Sequence, residues 1–130
     1  MILLVWRAKI FPGRTEEYRR FECERCLPMF RLQPGFMGVL FLRQSEDQAV
    51  SLSVWEDRGA VEALDSSPSY RRTARELAQR RLLAGRCSME VLKVGGGDLR
   101  PEALMGALGQ TRCADLPDSS APRSGLQHGT

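Results

Sequence analysis

Residues 36–56, FMGVLFLRQSEDQAVSLSVWE, decide the fold. Positions 36–44 are almost continuously apolar, as in a strand covered on both faces. Ser45 to Gln48 makes a polar turn. Positions 49–56 then alternate, with Val50, Leu52 and Val54 on one side and Ser51, Ser53 and Trp55 on the other. Two strands joined by so short a turn form an antiparallel hairpin. In its first strand, Phe36, Leu40 and Leu42 share one face, and Met37, Val39 and Phe41 the other.

Upstream, Pro34-Gly35 is a turn. Residues 14–32 read as a helix with Thr15 as N-cap and Glu16 and Glu17 in the first turn, where the helix dipole favours them. Tyr18, Phe21, Met29 and Leu32 fall on one side of it at 100° per residue. Pro28 is expected to kink or end it early. Residues 2–11, ILLVWRAKIF, form a strand that stops at Pro12-Gly13. It places Leu3 and Val5 opposite Ile2, Leu4, Trp6 and Ala8. Downstream, Asp57 caps a helix over 58–65, and Ser66-Ser67-Pro68 breaks it. A longer helix is predicted over 68–84, with Pro68 at its first position and Gly85 just past its end. Tyr70, Thr73, Ala74, Leu77, Arg81 and Ala84 share a stripe on it. Residues 86–94 alternate as the last strand.

The order β-α-β-β-α-β is the ferredoxin-like α+β unit, a four-stranded antiparallel sheet with helices on one face. Its other face is apolar as well, and soluble monomers rarely leave such a face in water. Two copies are therefore expected to stack their sheets as a symmetric homodimer. Gly95-Gly96-Gly97 closes this domain at residue 94. Residues 95–130 are a Gly- and Pro-rich tail, with a short helix expected at 101–108 and disorder beyond about residue 110.

At 130 residues the chain has room for one core of this kind. The net charge of +3, from 19 basic and 16 acidic residues, is too even for a nucleic-acid binder. Arg71, Arg72, Arg75, Arg80 and Arg81 read as a solvated helix face. The apolar run Ile2–Trp6 is too short for a signal peptide or a membrane span, which points to a cytoplasmic protein with no membrane partner. The four cysteines are then expected as reduced thiols. Cys23 and Cys26 form a C-x-x-C with no second pair or histidine nearby, so no metal site is expected. The one histidine, His128, is the third residue from the end.

These residues carry a resemblance. Pro12-Gly13 precedes a helix with Phe21, and Pro34-Gly35-Phe36 with Gly38 opens the second strand. Trp55-Glu56-Asp57 ends the third strand, and Ala60 to Ala63 precedes Ser67-Pro68-Ser69-Tyr70-Arg71. In this order and spacing, residues 1–94 resemble the antibiotic biosynthesis monooxygenase domains of the dimeric α+β barrel superfamily. The resemblance implies a homodimer with one small-molecule cavity per subunit, between sheet and helices. Some members oxygenate electron-rich phenols or quinols with O2 and no cofactor, and others bind and degrade haem. The chain has no asparagine, which the haem-degrading and many quinol-oxygenating members use, and no histidine in the body. Trp55 carries over by position.

The expectation is thus a cofactor-free monooxygenase of a quinol-like or polyketide-like aromatic. The alternatives are a non-catalytic dimer that binds or senses a small hydrophobic molecule and, further off, a haem protein. Such an oxygenase needs a dry pocket and a donor or cation at the developing oxyanion. Trp55 offers an indole N–H, Tyr70 a hydroxyl and Arg81 a cation, and these three are the catalytic candidates. Trp6, Arg7, Phe21 and Leu77 are the substrate-binding candidates. Arg7 has a competing role as an ion-pair partner of Glu90 on a neighbouring strand.

Overall fold

The computed structural model describes residues 1–111 and 113. Its elements are β1 (Ile2–Ile10), α1 (Thr15–Phe21), a π-helical turn (Glu22–Cys26), α2 (Leu27–Arg31), β2 (Phe36–Ser45) and β3 (Gln48–Trp55). They continue with α3 (Arg58–Glu62), a 3-10 turn (Ala63–Ser66), α4 (Pro68–Gln79), β4 (Leu83–Lys93) and α5 (Pro101–Leu108). The strands form one antiparallel sheet in the order β2-β3-β1-β4. This is the ferredoxin-like α+β fold. The chain divides into two units at Val94/Gly95. The second contributes α5, at the residues expected for the tail helix, and the expected disorder beyond residue 110 falls almost wholly outside the described residues. No helix among the described residues is long and apolar enough to cross a membrane.

The first helical segment departs from the sequence expectation in an informative way. Pro28 has no N–H to give to the carbonyl four residues back. The helix widens ahead of it instead of ending: the Leu27 N–H reaches Glu22 O, five residues back. The π turn inserts one residue, so the inward side beyond Met29 moves on by one. Phe30 and Gln33 are buried, and Leu32, expected inside, is 72% exposed. Thr15 is not the cap. Arg14 holds that position without a side-chain capping bond, and the Thr15 hydroxyl donates to Glu46 O at 3.3 Å.

Asp57 caps α3 as expected, accepting from the Ala60 N–H at 2.9 Å. Ser67 caps α4, with Pro68 in its first turn. Gly35, at φ +81°, lets the turn before β2 press on α3, where a Cβ would sit 2.6 Å from Ala60 Cβ. Three sequence expectations are corrected by backbone irregularities. The second long helix ends at Gln79, not 84, because Arg81 turns the chain at φ +54° and Leu83 already belongs to β4. Gly85, at φ +75°, lies in a bulge of β4 where the pairing with β1 shifts, and does not end a helix. A second shift at Met37 carries Phe36 to the helix side of β2, with Val39 and Phe41.

Two core clusters form between sheet and helices. One gathers Ile2, Leu4, Met29, Phe30, Trp55 and Leu64, and the other Ile10, Tyr18, Phe21, Ala49 and Leu82. Both draw on the same sheet face. Leu3, Val5, Leu40, Val50, Leu52 and Val54 lie on the opposite face and belong to neither.

Candidate functional site

A cavity of about 80 Å³ opens between the sheet and the helices. Its floor is Leu4 and Trp6 of β1, Phe41 of β2, and Ser51 and Ser53 of β3. One wall comes from the first helical segment, with Tyr18, Glu22, Cys26, Met29 and Phe30. The other is α4, through Thr73, Ala74 and Leu77. None of the residues of α4 is fully buried, so this wall has the least holding it in place. Gln33 ties it to α2, its amide donating to Met29 O at 3.0 Å and to Ser69 Oγ at 2.9 Å.

Polar chemistry in the cavity has two centres. At the first, the Trp55 indole N–H donates to Ser53 Oγ at 2.8 Å. That bond occupies an Oγ lone pair and leaves the Ser53 O–H as a donor. At the second, Glu22 is only 2% exposed and is gripped by Arg43 of β2. Arg43 Nη2 donates to Oε1 at 2.6 Å and Nη1 to Oε2 at 3.2 Å, a two-pronged contact. The Arg43 guanidinium also lies 5.2 Å over the Tyr18 ring. Tyr18 lies near Glu22 and weakly favours its charged form.

Burial raises the Glu22 carboxyl above the ordinary carboxylate range, and Arg43 opposes that rise. Burial also lifts the Tyr18 hydroxyl well above the usual phenol range, with the Glu22 charge adding to it. The Cys26 thiol is raised by burial first and by Glu22 and Glu76 next. The Glu22 shift has a sign for stability. The folded chain holds this proton more tightly than the unfolded one. Glu22 therefore favours folding below the unfolded carboxylate pKa, and that contribution is lost as pH rises through the folded value. In denaturant titrations between about pH 4 and 8, the parent chain should lose stability relative to Glu22→Gln as pH rises. A difference independent of pH would show that the carboxyl is not perturbed.

The structure brings together some of the residues singled out from sequence. Trp6 and Leu77 line the cavity. Trp55 is fully buried behind it, edge-on to Phe30 and Phe36 at 6.1 and 5.6 Å, and reaches the cavity only through Ser53. Tyr70 is half-buried and packs on the Trp55 cluster. Phe21 is 1% exposed, beneath Arg80 at 5.3 Å, and is not part of the lining. Arg7 lies on the opposite sheet face, paired with Glu90 at 3.0 Å. Arg81 is exposed in the turn after α4, because the helix that would have aligned it with Tyr70 stops short. His128 lies outside the described residues. Cys26 and Cys87 are free thiols, but Cys23 is disulfide-bonded, which corrects the expectation of four reduced thiols.

Sequence reasoning passed over Ser51, Ser53, Tyr18, Glu22 and Arg43. The two serines alternate with Val50, Leu52 and Val54, a polar stripe on a core-facing side. Glu22 stands four residues after Tyr18, on the inward side of its helix. Neither signal names a partner.

The family model for antibiotic biosynthesis monooxygenase matches residues 1–76. No curated protein matches the chain. Among solved structures, the chain is similar to SnoaB, a cofactor-independent oxygenase from Streptomyces nogalater. The two are 22% identical over 74% of this chain and 94% of the other, with a TM-score of 0.62. It is also similar to a monooxygenase from the gene ActVA-Orf6 of Streptomyces coelicolor, solved in complex with Nanaomycin D. That match has 16% identity, 76% and 91% coverage, and a TM-score of 0.65. Rv0793 from Mycobacterium tuberculosis matches at 16% identity, 74% and 96% coverage, and a TM-score of 0.61. With more than half of its length matched by the family model, the chain belongs to the antibiotic biosynthesis monooxygenase family.

Proposed function

We propose that this protein is a cofactor-independent monooxygenase of an electron-rich aromatic, a quinol or a related phenol, acting as a homodimer with one cavity per subunit. The observation that carries the reading is an apolar cavity lined by one oriented hydroxyl, Ser53, and one anchored carboxylate, Glu22. SnoaB, described as a cofactor-independent oxygenase, and the Streptomyces coelicolor monooxygenase seen with Nanaomycin D support the reaction class. For a quinol, one oxygen atom of O2 replaces a ring hydrogen as hydroxyl, and the other leaves as water. The ring ends as a hydroxyquinone, and the substrate supplies all four electrons, so no outside reductant is needed.

The chain's contribution is environment and aim. Apolar walls from Leu4, Trp6, Met29, Phe30 and Leu77 keep water from the reacting anion. The Ser53 O–H donates to the oxygen that carries charge as the substrate ionises, and Trp55 holds it in that direction. A volume of about 80 Å³ suits a small ring system and falls below the roughly 300–1,000 Å³ of pockets that hold drug-sized ligands. Larger fused rings require α4 to move outward.

The test is oxygen uptake by the purified protein with dihydroxynaphthalenes, menadiol and anthrone-like phenols, beside enzyme-free autoxidation. Saturable uptake above that background is expected. Ser53→Ala should lower kcat/KM by about tenfold, the effect of one lost hydrogen bond to a charged oxygen. Trp55→Phe should lower it in the same direction. No uptake above background would overturn the reading, and tight binding of the same compounds without uptake would make the protein a ligand-binding dimer.

A further inference from the structure

We infer that Glu22 is the general base of this cavity, accepting the proton of a phenolic hydroxyl bound there. The inference rests on the proposed use of the cavity for phenols, and it adds the residue that ionises them. Geometry supports it first. Glu22 is buried, lines the cavity, and has each carboxylate oxygen held by one nitrogen of the Arg43 fork. A carboxylate has about four acceptor positions, so this grip leaves positions for a ligand O–H.

Elimination supports it next. The titratable groups lining the cavity are Tyr18, Glu22 and Cys26. Burial pushes both the Tyr18 hydroxyl and the Cys26 thiol up, so both keep their protons at neutral pH. Glu22 is left as the lining group that accepts one. The groups facing it are Arg43 from β2, Tyr18 and Arg19 from α1, and Cys26 at the end of its own turn. The cations favour its charged form, while burial raises its affinity for a proton toward that of a phenol.

The charge balance favours the step. The phenol O–H bond breaks and a carboxylic O–H forms on Glu22. The negative charge moves from the carboxylate to the phenolate and stays beside Arg43. No additional charge is buried, which is what usually makes ionisation in an apolar site costly. The same arrangement selects ligands: a neutral phenol fits, its methyl ether offers no proton, and a carboxylate meets the charge of Glu22.

The probe is 4-nitrophenol, whose colour reports its ionisation and which does not depend on O2, with 4-nitroanisole as its ether control. With the full chain, bound 4-nitrophenol should show the phenolate band at a pH where the free compound is mostly neutral. Glu22→Gln should reduce the bound phenolate fraction by about tenfold while binding 4-nitroanisole as before. On quinol substrates it should lower kcat by about a hundredfold, with a smaller change in KM. Where Glu22→Gln no longer binds 4-nitroanisole, Arg43→Gln decides: it removes the cation that stabilises the transferred negative charge, so the bound phenolate should appear only at higher pH. An unchanged phenolate fraction in Glu22→Gln, an unmoved profile in Arg43→Gln, or no binding of either probe to the parent chain would overturn the assignment. A Glu22-dependent phenolate band without oxygen uptake would uphold Glu22 as proton acceptor and overturn the oxygenase reading alone.

Discussion

Trp55→Ala is expected to lower the unfolding free energy by about 3–5 kcal/mol, the range for truncating a buried aromatic. Trp55 has 0% exposure and sits where the end of β3, the first helical segment and the start of β2 converge. Its ring packs edge-on against Phe30 and Phe36, which stack on each other at 5.8 Å. Truncation opens a void under both rings and removes the indole N–H from Ser53. Against a total stability of roughly 5–15 kcal/mol for a natural domain, this is a large share. Urea titration at neutral pH measures it, and a loss below about 1 kcal/mol would mean that the cluster relaxes into the void. The size of the effect also decides how activity is probed. An inactive Trp55→Ala chain would report unfolding as readily as chemistry. Trp55→Phe keeps most of the ring and removes the N–H, so it isolates the link to Ser53.

Period and punctuation made most of the fold legible. Val50, Leu52 and Val54 against Ser51, Ser53 and Trp55 set the sides of β3, and Asp57 announced α3. Most of the misses along the helices and strands share one cause, a residue count that slips locally. The π turn before Pro28, the bulge at Met37 and the turn at Arg81 each shift the phase of the residues beyond them. Each is a tertiary compromise. Pro28 and Gly85 are residues that invite such irregularity, but Gly85 equally suits a helix end, and Arg81 is not a residue type that announces a positive φ. The site was less legible than the fold for the same reason. In FECERC, Glu22 reads as one charge among several. What distinguishes it is Arg43, 21 residues away on β2, and that pairing exists only once the sheet has formed. The expected pair of Arg7 with Glu90 could be read because both stand on strands of known phase. Glu22 and Arg43 lie on a helix and a strand joined through a phase slip.

Leu52→Arg is expected to dissociate the proposed dimer while leaving each subunit folded. Leu52 is flanked by Val5 on β1 and Leu40 on β2, at the middle of the sheet face that neither core cluster uses. Arg7 and Glu90 mark one border of that apolar patch. If two copies stack these faces about a two-fold axis, every substitution enters the seam twice. An unpaired charge trapped there costs about 3–5 kcal/mol, so a single one weakens the dimer roughly a thousandfold, and two weaken it further. In the separated chain the same arginine bends its head into water and covers its neighbours with its stem. Sedimentation at micromolar concentration should therefore show a dimer for the parent chain and a monomer for Leu52→Arg, with both melting cooperatively. A parent chain that sediments as a monomer would overturn the dimer, and a variant that stays dimeric would move the seam elsewhere. The cavity lies on the helix side of the sheet, away from Val5, Leu40 and Leu52. The monomeric variant should accordingly keep its affinity for 4-nitroanisole. Loss of that affinity would mean that stacking the sheets also sets the shape of the cavity, through β1 and β3, which carry Trp6 and Ser53 on one side and Val5 and Leu52 on the other.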